Sequence, residues 1–293
     1  MTVVAWLEDG PGREALGPLP AGVTAVSEPT PDVEFAAPTW GTRQDLAALP
    51  ALRIVQLRSA GVDWVLRDVP AGVTLCGARG TRDAAMAEWV VAALLADVKH
   101  GRRFAEAQAA RRWESIKMRD LGALRVLILG HGSIGRATER LLAPFGCAVT
   151  GVARRARDGV HGLDELPALL SRADALVNLL PLTPDTRGLV DAALLGRLPD
   201  GALYVNAGRG ATTDTGALLA ELQDGRLRAV LDVVDPEPLD ADHPLWRAPG
   251  VVITPHVAGD TPAGDRAAWR LVGEQLARYV AGEPLHNVVV DGY

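Results

Sequence analysis

Gly130-His131-Gly132-Ser133-Ile134-Gly135 stands between an almost purely apolar run, Leu124–Leu129, and a stretch that reads as a helix, Arg136–Leu142. The pattern G-x-G-x-x-G is weak by itself. Flanked by a buried strand and a helix, it reads as the strand–turn–helix unit that opens a dinucleotide-binding fold. Gly130 permits the tight turn, Gly132 lets backbone amides approach a pyrophosphate, and Gly135 lets the helix pack close to the strand. The helix start, at Ser133 and Ile134, turns oriented N–H groups and partial positive charge toward phosphates.

The end of the following strand bears on which dinucleotide binds. A site for NAD carries an acid about 20 residues on, bonded to the ribose 2′-hydroxyl. Here Val149-Thr150-Gly151-Val152 runs into Ala153, Arg154 and Arg155. Loss of the carboxylate removes repulsion against a 2′-phosphate, and guanidinium forks bind phosphate well. NADP is therefore expected, held by Arg154 and Arg155, with NAD the less favoured alternative if both arginines are ordinary surface residues.

Strand-like and helix-like runs alternate along the whole chain, the pattern of parallel sheets covered on both faces. Before the glycine run come Val3–Leu7, Val33–Ala37, a helix near Arg43–Leu49, Ile54–Leu57 and Val73–Cys76. A long helical segment, Thr81 to Ala110, follows with Gly101 its main breaker. After the glycine run come Ala148–Val152, Ala175–Leu179, Ala202–Asn206, Ala229–Val233 and Val251–Thr254. A last helix, Ala263 to Ala281, leads to a tail, Leu285–Val290, that could rejoin the first strands.

With 293 residues, 48% hydrophobic and 23% charged, the chain is long enough for two domains of ordinary globular balance. A net charge of −6 supplies no basic field, so nucleic acid is not an expected partner. No apolar run reaches the ~20 residues of a membrane span. The strand-like start has no basic run before it, so no signal peptide is expected and a cytoplasmic protein is. Cys76 and Cys147 sit in no metal or redox motif and read as small buried hydrophobes.

Three later motifs fall at strand ends, where doubly wound sheets place their ligands. They are Val205-Asn206-Ala207-Gly208-Arg209-Gly210, Leu231-Asp232-Val233-Val234-Asp235-Pro236-Glu237-Pro238 and Thr254-Pro255-His256. With the glycine run they resemble the D-isomer-specific 2-hydroxyacid dehydrogenase family, and in appearance most of all its NADP-dependent glyoxylate/hydroxypyruvate reductases. The likeness extends through Ser59-Ala60-Gly61-Val62-Asp63, Met86-Ala87-Glu88, Leu180-Pro181-Leu182-Thr183-Pro184-Asp185-Thr186 and His243-Pro244-Leu245-Trp246.

The resemblance implies an α/β fold of two doubly wound parallel-sheet domains. A Rossmann cofactor domain, 91–265, would be inserted into a flavodoxin-like substrate domain, 1–90 and 266–293, with a cleft closing on substrate. By motif position it makes Arg209 the clamp for the substrate carboxylate and carbonyl, and Glu237 and His256 the acid–base pair. Asp232 falls near the nicotinamide carboxamide, and the amides of Ala60 and Gly61 receive the substrate carboxylate. Leu180, Pro181, Thr186, Ala207, Gly208, His256 and Gly259 fall where the family lines its cofactor. The family is usually dimeric, with contacts near Arg102 to Leu121, where Trp113 belongs. Where members often read Asn-x-Pro-Gly, this chain has Gly77-Ala78-Arg79-Gly80, and Trp40, Arg58 and Arg79 are candidates for substrate preference.

The chemistry asks for the same residue types. Hydride transfer to a ketone leaves an alkoxide, so a proton donor titrating near neutrality is needed, and histidine suits. A carboxylate on the other ring nitrogen fixes the tautomer and stabilises the cation, and an arginine fork matches a planar carboxylate. His100, His131, His161, His243 and His286 show neither ligand spacing nor a nameable acid–base partner, so no metal site is expected. The leading expectation is reduction of glyoxylate or hydroxypyruvate. An NAD-dependent dehydrogenase of another D-2-hydroxy acid, such as phosphoglycerate, is the runner-up, disfavoured because no regulatory extension follows Tyr293. A dinucleotide-binding scaffold like the family's transcriptional corepressors stays open, since such relatives can keep the same three residues.

Overall fold

A computed structural model of the chain, described over residues 2–39 and 45–290, divides into two compact units, 1–83 with 260–293 and 84–259. The borders expected at 90/91 and 265/266 fall inside helices. Helix Asp83–Val98 buries Val90, Val91, Leu94 and Val98 against Val126 and Ile128 of the second unit. Helix Pro262–Ala281 buries Trp269, Val272 and Leu276 in the first. A helix packed on one core along its length puts the border near its first turn.

The first unit is built on β1 (Val3–Leu7), β2 (Val23–Val26), β3 (Val33–Ala37), β4 (Ile54–Gln56) and β5 (Thr74–Cys76). They form one parallel sheet ordered β2-β1-β3-β4-β5, the flavodoxin-like order. Side chains alternate between its faces. Ala5, Leu7, Phe35 and Ala37 pack on Trp269 and Val272, while Trp6, Ala36 and Val55 face the opposite core. Strand β2 is absent from the sequence reading, because a half-buried edge strand lacks a strong apolar pattern. Of the helix expected near Arg43–Leu49, the described part is a 3₁₀ turn, Leu46–Ala48, and Arg43 and Trp40 lie outside the described residues. The tail does rejoin this unit: Val289 N–H donates to Leu75 O and Gly77 N–H to Asn287 O, an antiparallel addition to β5. Cys76 is buried, and burial pushes its thiol up to about 11, so it stays a thiol at neutral pH.

The second unit carries β6 (Arg125–Leu129), β7 (Ala148–Val152), β8 (Val160–His161), β9 (Ala175–Asn178), β10 (Leu203–Asn206), β11 (Arg228–Leu231) and β12 (Val251–Ile253). Their order, β12-β11-β10-β9-β6-β7-β8, is parallel throughout. The chain runs outward from β6 through β7 and β8, then crosses back to β9 and runs the other way. The crevice beyond the carboxyl end of β6 is the topological switch point where such sheets bind ligands. The strands are apolar on both faces: Leu127 and Leu129 belong to one core, Val126 and Ile128 to the other. The helical stretch expected over Thr81–Ala110 is two helices, Asp83–Val98 and Gly101–Ala109. The break sits at His100, in the left-handed region at φ 54°, and Gly101 opens the second helix.

Candidate active site

Backbone contacts gather the loops at the carboxyl ends of five strands. Gly130, after β6, has φ +97°, and a Cβ there would lie 2.8 Å from the Leu179 carbonyl after β9. A Cβ on Gly208, after β10, would lie 2.5 Å from Leu180 O. One on Gly210 would collide with the Val234 backbone after β11. Glycine at these places lets one loop lie directly on the next. The last link is a side chain: Asp232, at the end of β11 and 2% exposed, holds the loop after β12. Its Oδ1 accepts from Thr254 Oγ1 at 2.6 Å and Val257 N–H at 2.9 Å, and its Oδ2 from Ala258 N–H at 3.0 Å.

The glycine loop fits a dinucleotide phosphate. A Cβ on Gly132 would meet open space, so a ligand has room to approach the backbone. The helix beginning at Ser133 and Ile134 has glycine, Gly132, as its N-cap and so no side-chain cap there. A Cβ on Gly135 would lie 3.0 Å from Gly130 O, so this position permits the close helix–strand packing.

Arg154 and Arg155 follow β7, exposed, and neither makes an ion pair or side-chain hydrogen bond among the described residues. Arg157, which sequence reading passes over, anchors this corner: its Nη2 donates to His131 O at 2.5 Å. His131 is itself 5% exposed and pairs with Glu139 through Nε2 at 2.8 Å. His161 pairs with Glu165, so two histidines expected to lack a partner have one. The i, i+4 spacing of His161 and Glu165 is a signal the sequence does carry; the His131–Glu139 pair needs the turn between loop and helix.

Thr186 closes its own loop instead of pointing a free hydroxyl outward. Its Oγ1 donates to Pro181 O at 2.6 Å and accepts from Thr183 N–H at 2.8 Å. Leu180 and Ala207 are buried in the same unit, 5% exposed each. Arg209 is half-buried after β10 with extended backbone (φ −140°, ψ 137°), and its Nη1 donates to Gly208 O at 2.9 Å.

His256 lies in the left-handed region, φ 56°, which costs energy for a residue with a side chain. The loop pins it there: His256 N–H donates to Asp232 O at 2.8 Å and to Thr254 O at 3.0 Å. Its ring Nδ1 meets Glu237 Oε1 at 2.5 Å, both side chains about one-third exposed. A carboxylate at Nδ1 makes that nitrogen the N–H donor, so in the neutral ring Nε2 carries no hydrogen. Asp232, expected beside the cofactor's carboxamide, thus also holds the backbone that carries His256. Gly259 ends this loop and the unit.

In the first unit the loop after β4 is held separately. Ser59 Oγ donates to Gly61 O at 2.8 Å and Ala78 N–H to Ser59 O at 2.9 Å. The amides of Ala60 and Gly61 have no hydrogen-bond acceptor among the described residues. Arg58 is stacked on Trp269, 4.5 Å from its ring, and donates to Thr39 Oγ1 at 2.6 Å. Burial pushes its guanidinium down from the ordinary arginine value. Arg79 gives its carbonyl to Asn287 Nδ2, a bond that holds the tail.

A parallel sheet with a glycine loop at its switch point and an imidazole–carboxylate pair on the loops after β11 and β12 fits a dinucleotide-dependent oxidoreductase. The profile described as "D-isomer specific 2-hydroxyacid dehydrogenase, NAD binding domain" matches residues 91–258. Glyoxylate/hydroxypyruvate reductase A of Yersinia enterocolitica is 34% identical over 270 residues, 87% of this chain and 86% of that one. A D-isomer specific 2-hydroxyacid dehydrogenase from Xanthobacter autotrophicus Py2, solved with NADPH and MES, superposes with a TM-score of 0.86 at 33% identity, covering 100% of this chain and 99% of that one. An NADPH-dependent glyoxylate/hydroxypyruvate reductase from Sinorhizobium meliloti, solved with NADP and sulfate, matches with the same score, identity and coverage. The chain belongs to the D-isomer specific 2-hydroxyacid dehydrogenase family and is an NAD(P)-dependent oxidoreductase acting on CH–OH groups.

Proposed function

We propose that this dehydrogenase reduces a small 2-oxo acid, glyoxylate or hydroxypyruvate, with NADPH. The observation that carries the reading is the Glu237–His256 pair, set by Asp232 at the end of β11 within the loops that follow the glycine turn. NADPH, when bound, supplies the hydride. Arg209 holds the carboxylate and the carbonyl oxygen of the acid by its planar fork. His256 delivers a proton from Nε2 to that oxygen as it gains negative charge, and Glu237 steadies the imidazolium. The amides of Ala60 and Gly61, which meet no acceptor among the described residues, are the first unit's candidates for binding a carboxylate. We assign the adenosine end to Arg154 and Arg155, whose guanidinium groups are exposed after β7, and the phosphates to Gly130, Gly132, Ser133, Ile134 and Gly135. Leu180, Pro181, Ala207, Gly208 and Gly259 line the remaining path, with Thr186 shaping the Pro181 turn. The cytoplasm and a homodimer belong to the same reading, with fully exposed Trp113 and half-exposed Met118 in the arm that would meet a second copy.

The cofactor half of the proposal has a direct test. Each good charged hydrogen bond contributes about 1.5–3 kcal/mol, at least about tenfold in affinity. NADPH should therefore bind at least about tenfold tighter than NADH. Both dissociation constants are measured at one salt concentration, because phosphate contacts are salt-dependent. Equal constants, or tighter NADH, contradict the assignment to Arg154 and Arg155.

A further inference from the structure

Under the Arg209 loop lies a set of buried polar side chains that the scheme above does not use. Tyr204 in β10 and Asn178 at the end of β9 are fully buried, and so is Thr212, while Asn206 and Thr213 are 1% and 7% exposed. Asn178 and Asn206 are register partners at the carboxyl ends of adjacent strands. Asn178 Nδ2 donates to the Tyr204 hydroxyl at 2.8 Å and to Thr212 Oγ1 at 2.9 Å. The Tyr204 hydroxyl and Thr213 Oγ1 hydrogen-bond at 2.5 Å. Asn206 Nδ2 reaches Thr213 Oγ1 at 3.3 Å.

The network ends on backbone groups of two loops. Asn178 Oδ1 accepts from Leu180 N–H at 3.1 Å, which fixes the loop after β9. Asn206 Oδ1 accepts from Gly208 N–H at 3.0 Å. Thr212 Oγ1 donates to Arg209 O at 2.6 Å, and Asn206 Nδ2 to the same carbonyl at 3.3 Å. Away from water, each of these bonds is expensive to leave unmade, so the set favours one arrangement.

We propose that Tyr204, Asn178, Thr212 and Thr213 form a positioning network that sets the Arg209 backbone against the loop carrying Leu180, and so aims the Arg209 fork at the substrate. The inference rests on the reading of Arg209 as the substrate clamp. Two neighbouring loops, one assigned to the cofactor and one to the acid, are thereby held in a single register by side chains that touch neither ligand.

Thr212→Val keeps the volume of the side chain and removes its hydroxyl donor to Arg209 O, leaving only the longer Thr212 N–H bond at 3.2 Å from this residue, while Thr212→Ser keeps the hydroxyl and removes a methyl group. For the oxo acid, Thr212→Val should raise KM about tenfold or more, since a misaimed fork loses much of its binding. The dissociation constant for NADPH should stay within about twofold, and Thr212→Ser should stay within about twofold of native in both quantities. A packing role predicts the reverse order, because the serine leaves a void and the valine does not. Tyr204→Phe, which takes the central hydroxyl out of the network, repeats the test if Thr212→Val does not fold.

Hydrogen–deuterium exchange over residues 206–213 reads the same geometry with no substrate present. It should be faster in Thr212→Val or Tyr204→Phe and native-like in Thr212→Ser. Unchanged KM and unchanged exchange in folded Thr212→Val, or an equal loss in Thr212→Ser, overturn the network. A native protein that turns over no 2-oxo acid defeats the functional reading instead, and exchange then decides the network alone.

Discussion

Arg209→Lys is expected to lose on the order of 10²–10³ in kcat/KM for the 2-oxo acid while it folds and binds NADPH like the native protein. Lysine keeps the charge and gives up the planar fork, so it cannot hold a carboxylate and a carbonyl oxygen together. The residue is half-buried, its Nη1 donates to the neighbouring Gly208 carbonyl, and its backbone is fixed from beneath by Thr212 and Asn206. The loss should thus appear in turnover and leave the melting curve nearly unmoved. Activity within a few-fold of native in the folded variant would show that Arg209 is not the clamp.

Glu237→Gln should cut reduction by about 10²-fold near neutral pH. In the native pair a carboxylate oxygen sits 2.5 Å from His256 Nδ1, so that nitrogen carries the ring hydrogen and Nε2 is the end that exchanges a proton with substrate in the proposed scheme. Glutamine keeps the size and a hydrogen bond, but its amide can present N–H to Nδ1 as well as an oxygen, so the tautomer is no longer fixed. Reduction and oxidation of the hydroxy acid should fall together, because one ring nitrogen serves both directions. The measurement is kcat/KM in both directions for native and variant, beside the NADPH dissociation constant and the melting curve, which should stay near native. Activity within a few-fold of native in the folded variant would mean that Glu237 does not serve His256.

The sequence carries the site where chemistry demands a residue type at a strand end. The glycine turn, Arg209, Asp232, Glu237 and His256 are proposed from the sequence for that reason, and of these the structure brings Glu237 and His256 together. It carries less of what supports them. Asp232 reads as a neighbour of the cofactor, but its carboxylate also gathers Thr254, Val257 and Ala258, a role visible only in three dimensions. Asn178, Tyr204, Thr212 and Thr213 look ordinary one by one. The two asparagines at equivalent strand ends are the available signal. Arg157 looks like one more surface charge until the fold sets it on the His131 carbonyl. Among the strands, β2 and β8 escape sequence reading because an edge strand of four residues and a strand of two give no periodicity to detect.

NADPH consumption by the purified native protein, followed at the nicotinamide absorbance band over a panel of 2-oxo acids, decides whether this chain is the reductase proposed above. Turnover is expected with glyoxylate or hydroxypyruvate, faster with NADPH than with NADH at equal concentration. Tight NADPH binding without turnover of either acid would contradict that function and leave a dinucleotide-binding protein whose Arg209, Glu237 and His256 serve some other end.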